Sequence, residues 1–137
     1  MKRGAIKGLG FNFKHFANAL VVRDVTNALI EQFFQSYDLW LCPVTSGGAF
    51  PHAKPGKPVL VDNHKTDYLL ACGGHTSLFN FTGHPVAVLP AGKSADGMPL
   101  GIQLVTRRWQ DEMLLHAAIQ IEPIISGYQP PPPISKH

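Results

Sequence analysis

The chain of 137 residues is short of cysteine: it has two, Cys42 and Cys72. Two cysteines do not make a disulfide framework. Cys42 ends an apolar run and reads as a small core residue. An intracellular, thiol-reducing compartment, the cytoplasm, is the expected location. Long hydrophobic runs are missing as well. No stretch approaches the roughly 20 apolar residues that span a bilayer, and no signal-peptide core is present. Charge of one sign is also scarce. The formal net charge is +3, and the basic residues are scattered. Lys2, Arg3, Lys7 and Lys14 make a mildly basic start without interleaved aromatics, which argues against a nucleic-acid surface. There is no internal repeat and no sign of a second folded domain.

Metal and nucleophile patterns are equally thin. Seven histidines are spread along the chain as His15, His52, His64, His75, His84, His116 and His137. The nearest approach to ligand spacing is Cys72-x-x-His75 with His84 nine residues on. A structural zinc site needs four ligands in compact pairs, and a helical zinc site needs two histidines one turn apart. Neither pattern occurs, so no metal is expected. Gly8-Leu9-Gly10 lacks the strand–helix context of a dinucleotide loop, and no cofactor is expected. Cys42 or Cys72 could serve a hydrolase only beside a base and an orienting group, and the spacing specifies neither. Ser46 and Ser77 are open candidates that the sequence does not separate. Ser94 lies in a polar connection and reads as a turn former.

The ordered information runs from Phe79 to Val105. Val86-Ala87-Val88-Leu89 is continuously apolar and reads as a strand buried on both faces, bounded by Pro85 and Pro90. Asp96-Gly97 marks a sharp turn. Leu100, Ile102 and Leu104 then alternate with Gly101 and Gln103, as in a strand covered mainly on one side. Asn80 to Pro85 forms a tight corner, in which Asn80 caps or closes the turn and Gly83 supplies an unusual backbone angle.

Lys14 to Ser36 has helical periodicity. Val21, Val22, Val25, Ala28, Leu29 and Phe33 share a stripe that reads as a packing surface. Asp38 to Pro43 is a short buried strand. Thr45 to Asn63 is a long Gly- and Pro-rich loop, a length that is uncommon unless the segment has a function or is disordered. Thr66 to Phe79 is helical in part. Gly73-Gly74 is expected to break or kink it, or to mark a close backbone approach, because each glycine costs about 1 kcal/mol in a helix interior. Asp111 to Glu122 is the last helix, with its acidic start suited to the helix dipole and Pro123 as its stop. Residues 1–13 read as a loose segment, 14–127 as one α/β domain, and 128–137 as a Pro-rich tail of polyproline II character. The expected fold is α/β, with a small mixed sheet and flanking helices.

Several of these segments resemble the C-terminal part of the amidase signature family. They are the N-x-x-G-x-P corner at Asn80–Pro85, the apolar strand ending in Pro90-Ala91-Gly92, and Asp96-Gly97-Met98-Pro99-Leu100-Gly101-Ile102-Gln103. Asp111-Glu112 followed by Leu114-Leu115 belongs with them. Upstream, Asp38-Leu39-Trp40-Leu41-Cys42-Pro43 is similar to a D-x-L-L-C-P segment, and Ala49-Phe50-Pro51-His52 resembles an A-F-P-H loop in some members. The tail from Gly127 to Pro132 resembles their endings. The likeness covers roughly residues 30 to 133.

The resemblance implies amide C–N hydrolysis by a serine, a second serine in a cis peptide, and a lysine. That machinery lies in an upstream Gly/Ser-rich core that this chain lacks, so no catalytic residue is assigned. Thr45-Ser46-Gly47-Gly48 only superficially resembles that core. The resemblance further implies that Thr45, Phe50 and Asn80 belong to the substrate-pocket wall. The reading is a fragment inactive alone, acting on a small amide only in the complete fold. Its expected partner is the missing upstream core or a second copy of the chain. The alternative is a non-catalytic protein-binding or oligomerising module on the same fold. An intact small hydrolase with its own site stays open.

Overall fold

The computed structural model describes residues 8–52, 54, 56–125 and 127–130. The first residues of the N-terminal segment and the tail beyond residue 130 lie outside them, and with them most of the polyproline reading. The chain divides into two compact units, residues 1–37 and 38–137.

The first unit carries α1, Phe13–Phe33. Its start follows from a capping box. Asn12 Oδ1 accepts the His15 N–H at 3.2 Å, and His15 Nδ1 accepts the Asn12 N–H at 3.3 Å. Two backbone donors that a helix start would leave open are thereby satisfied, one by each partner. The helix ends as the Phe34 N–H bonds Ile30 O and the Phe33 and Tyr37 rings stack at 4.7 Å. The buried positions are Asn27, Ile30 and Phe34. The stripe expected to pack is exposed instead: Val21, Val22, Val25 and Leu29 all face solvent.

The second unit is built on a three-stranded sheet of β1 (Trp40–Pro43), β4 (Val86–Lys93) and β5 (Pro99–Val105), in the order β1-β5-β4. The α/β class holds, but the sheet is not mixed: every pair among the described strands is antiparallel. A short connection between β4 and β5 permits only that arrangement. Gly97 (φ 81) and the Ser94–Met98 hydrogen bonds close the turn. One sheet face is covered by α3, Asp111–Ile125. There Leu89, Leu104, Leu114 and Ala118 form the buried cluster, with Leu39, Ala87, Ile102 and Ile121 packed around it. Burying a side chain the size of Leu104 is worth about 1.5–3 kcal/mol. The opposite face carries α2, Tyr68–Thr82, joined to the sheet by the Trp40–Phe79 ring pair at 5.5 Å.

Four local expectations need correction. Val86–Leu89 is not sealed on both faces: Leu89 is buried, whereas Val86 and Val88 are exposed, because α2 does not cover their part of the sheet. The long loop is not without structure: it carries β2 (Val59–Val61) and the turn of a hairpin whose second strand, β3 (His64–Thr66), follows it directly. Its turn is Asp62-Asn63, with φ of 48° and 65°. Asp and Asn tolerate that left-handed region better than most residues, which suits a two-residue hairpin. α2 runs unbroken through Gly73-Gly74. The Asp67 carboxylate caps it by accepting the Leu69 and Leu70 N–H groups. A Cβ added at either glycine would meet only Ser77 or Leu70 of the same helix, so no outside backbone approaches. Finally, α3 passes Pro123 and ends at Ile125. The Gly127 N–H, at φ 65, then closes on Glu122 O at 2.9 Å.

Candidate functional site

Pro43 ends β1, and the chain turns sharply. Thr45 Oγ1 donates to Gly47 O at 2.6 Å, and the Ser46 N–H donates to Ala71 O at 2.9 Å. The first bond tightens the loop on itself, and the second ties its start to the first turn of α2. Phe50 is braced edge-on by Tyr68, with ring centroids 6.1 Å apart and planes at 89°. Between this loop and β5 lies an open cleft of about 660 Å³. Leu41, Phe50, Leu100 and Ile102 give it an apolar lining, and Thr45 and Ser46 add hydroxyls.

The structure therefore brings Thr45 and Phe50 together. It does not bring Asn80 to them. Asn80 lies in a second depression of about 260 Å³ with Phe79, His84, Trp109 and Asp111. It is a helix residue whose Nδ2 donates back to Thr76 O at 3.1 Å, so it does not cap the corner. Gly83 does that at φ 74, its N–H bonding Phe79 O at 2.8 Å. A left-handed closing residue is where glycine carries no Cβ penalty. Behind the corner His84 is buried. Thr82 donates its one hydroxyl hydrogen to Leu78 O at 2.9 Å. The His84 Nδ1 at 2.8 Å from that hydroxyl must therefore carry the ring hydrogen and donate.

Gln103 is the residue the sequence reading missed. It is fully buried on the α2 side of β5. Its Nε2 lies 3.0 Å from Pro43 O, 3.3 Å from His75 O and 3.1 Å from Cys42 Sγ. One amide thus ties β1, β5 and α2 together behind the cleft. The available signal was a glutamine alternating with large apolar residues in a strand. Burial pushes the Cys42 thiol up from its ordinary value, and the Gln103 hydrogen bond only partly opposes this. The thiol is neutral at physiological pH. Ser94 forms a turn, as expected: its hydroxyl donates to Asp96 Oδ1 at 2.5 Å and accepts the Met98 N–H, while its own N–H donates to Met98 O. No group of three His, Cys, Asp or Glu side chains comes together as a metal site among the described residues. No described helix is long and apolar enough to cross a membrane.

The sheet with helices on its two faces and the uncharged cleft at its edge define an α/β architecture. Comparison with known proteins gives it a family. The Amidase family profile matches residues 4–115. The chain belongs to the amidase family. A glutamyl-tRNA(Gln) amidotransferase component from Xanthobacter autotrophicus is 33% identical over 114 residues, 82% of this chain and 22% of that protein. Fatty-acid amide hydrolase 2-A of Danio rerio is 33% identical over 78 residues, 56% of this chain and 15% of that protein. A crystal structure of an amidase shares the fold, with a TM-score of 0.76 and 24% identity over 88% of this chain and 27% of its own. The chain therefore spans about a quarter or less of the length of these relatives.

Proposed function

We propose that this chain is the C-terminal portion of an amidase of the Ser–cisSer–Lys type. It acts on a small amide only when joined to an upstream catalytic core. On this reading the core supplies the acylating serine, with the lysine acting through the second serine as base and backbone N–H groups holding the oxyanion. This chain supplies outer strands, helices and one wall of the substrate cleft. Thr45 and Phe50 form that wall. Asn80 reaches substrate only if the bound molecule extends to the second depression. The free thiols Cys42 and Cys72 suit a reducing, cytoplasmic setting.

The observation that carries this reading is uncovered apolar surface on elements within the family match. Val22 and Leu29 of α1 are 58% and 63% exposed, and Val88 of β4 is 56% exposed. Side chains of this size favour burial by about 1.5–3 kcal/mol each. In a chain about four times as long they would have cover. The same surfaces also favour a second reading, a protein-binding or self-associating module without catalysis.

The first experiment is fluorophosphonate labelling of the folded chain, read by intact mass, followed by addition of an upstream core from a relative. The expected result is no adduct on the chain alone, then association and restored amide hydrolysis. A stoichiometric adduct on one serine of the isolated chain would overturn the fragment reading. Association without hydrolysis would select the binding-module reading. A sharply monomeric, stable chain that ignores the core would count against both.

A further inference from the structure

We infer that the Thr45–Phe50 cleft accepts an uncharged hydrocarbon group of its substrate and rejects the same group when it ends in a carboxylate or an ammonium. This rests on the amidase reading and adds to it the chemistry of the group this wall holds.

The cleft is lined by the apolar side chains of Leu41, Phe50, Leu100 and Ile102, with no aspartate, glutamate, lysine, arginine or histidine among the lining residues. Two of its hydrogen-bond donors are already engaged. The Thr45 hydroxyl hydrogen is held by Gly47 O, and the Ser46 N–H by Ala71 O. The remaining acidic group is the Cys42 thiol, which burial keeps protonated. A charged substrate end seated here would give up part of its water and find no opposite charge among the lining side chains to replace it. A hydrocarbon end has no such penalty and gains the apolar contact. Selection in this cleft therefore works by rejecting charge. Its volume, about 660 Å³, is within the range of sites that hold small molecules. The wall is also positioned before any ligand arrives. Phe50 is set edge-on against Tyr68, and the loop backbone is fixed to α2. Gly48 leaves room beside Leu100: a Cβ built there would stand 3.8 Å away, an ordinary contact.

The test uses the whole chain and three probes: hexanamide, the monoamide of hexanedioic acid, and 6-aminohexanamide. Amide NMR follows each titration. Hexanamide is expected to move the Gly47, Gly48, Leu100 and Gly101 resonances saturably, while the two charged analogues leave them in place at the same concentrations. Phe50→Ala, at a partly exposed loop position, is expected to weaken hexanamide binding about tenfold, a loss of about 1.4 kcal/mol. Its circular dichroism should be unchanged. Binding of either charged analogue as tight as hexanamide would overturn the inference, and so would an absence of hexanamide shifts at these four residues. Failure of the amidase reading looks different: selective hexanamide binding would persist while an added upstream core restored no hydrolysis.

Discussion

β4 and β5 pair in unbroken register from Val86 opposite Val105 to Pro90 opposite Gly101, yet they have opposite relations to solvent. Val88 lies opposite Gln103 and Ala87 opposite Leu104. Gln103, Leu104 and Val105 are fully buried, whereas Val88 on the neighbouring strand is more than half exposed. By residue type the order is unexpected, since a glutamine is sealed and a valine is open. The difference is in what lies above each strand. α3 covers one face of both, but α2 reaches across β1 and β5 and stops short of Val86 and Val88. A hydrophobic side chain is buried only where a second layer arrives. A polar one can be buried wherever its donors are met.

The largest effect expected from this contrast is at Leu104. Leu104→Ala should cost about 2–5 kcal/mol, because it opens a cavity in the α3 cluster. The corresponding truncation Val88→Ala should stay within about 0.5 kcal/mol, as at other exposed sites. Urea unfolding midpoints of the two variants measure both values, and equal losses would break the comparison.

A smaller change is expected at Gln103. Gln103→Leu keeps the volume but removes the side-chain donor shared by the Pro43 and His75 carbonyls, at a cost of about 1–3 kcal/mol. Calorimetry of that variant sharpens the comparison. A stabilised protein would mean that the amide does not hold β1, β5 and α2 together. Gln103 Oε1 has no hydrogen-bond partner among the described residues, and the leucine would relieve that defect, so the loss belongs at the lower end.

The smallest effect lies in the exposed β4–β5 turn. The Ser94 hydroxyl, followed by a backbone hydrogen bond, holds the Asp96 carboxyl below its ordinary value. A carboxyl depressed in the folded state stabilises above its unfolded pKa, and that contribution disappears as the pH falls through the folded value. Ser94→Ala should return Asp96 toward the usual carboxylate range in an NMR titration. Stability at neutral pH should change little, because the group is exposed.

Much of the fold was legible in the sequence for local reasons. The β4 and β5 strands, the Asp96-Gly97 turn and the Gly83 corner were readable because each depends on residues within a few positions. The same locality accounts for the errors. Gly73-Gly74 was expected to interrupt α2, but propensity is a weak prior, and the Asp67 cap and tertiary packing outweighed it. Pro123 was expected to stop α3, but it lies within the last turn, where the helix was about to end. The β2–β3 hairpin was hidden because Asp62-Asn63, though a good turn pair, joins strands of three residues each. At the candidate site, Thr45 and Phe50 were named from the family resemblance, and they lie together because one loop carries both. Their separation from Asn80 could not be read, since it depends on where α2 ends relative to that loop.

Residue order alone was enough to outline most of the segments, the Asp96-Gly97 turn and the Gly83 corner, because short-range chemistry fixes these, and it carried the amidase resemblance. Folding in three dimensions settled the rest: which faces are covered, that Gln103 is the buried tie between two strands and a helix, and that an uncharged cleft forms between the Thr45–Phe50 loop and β5. Those outcomes depend on contacts between residues far apart in the chain, 61 positions in the Gln103–Cys42 pair. Periodicity along the chain reports which side chains favour burial, but it does not report what comes to cover them.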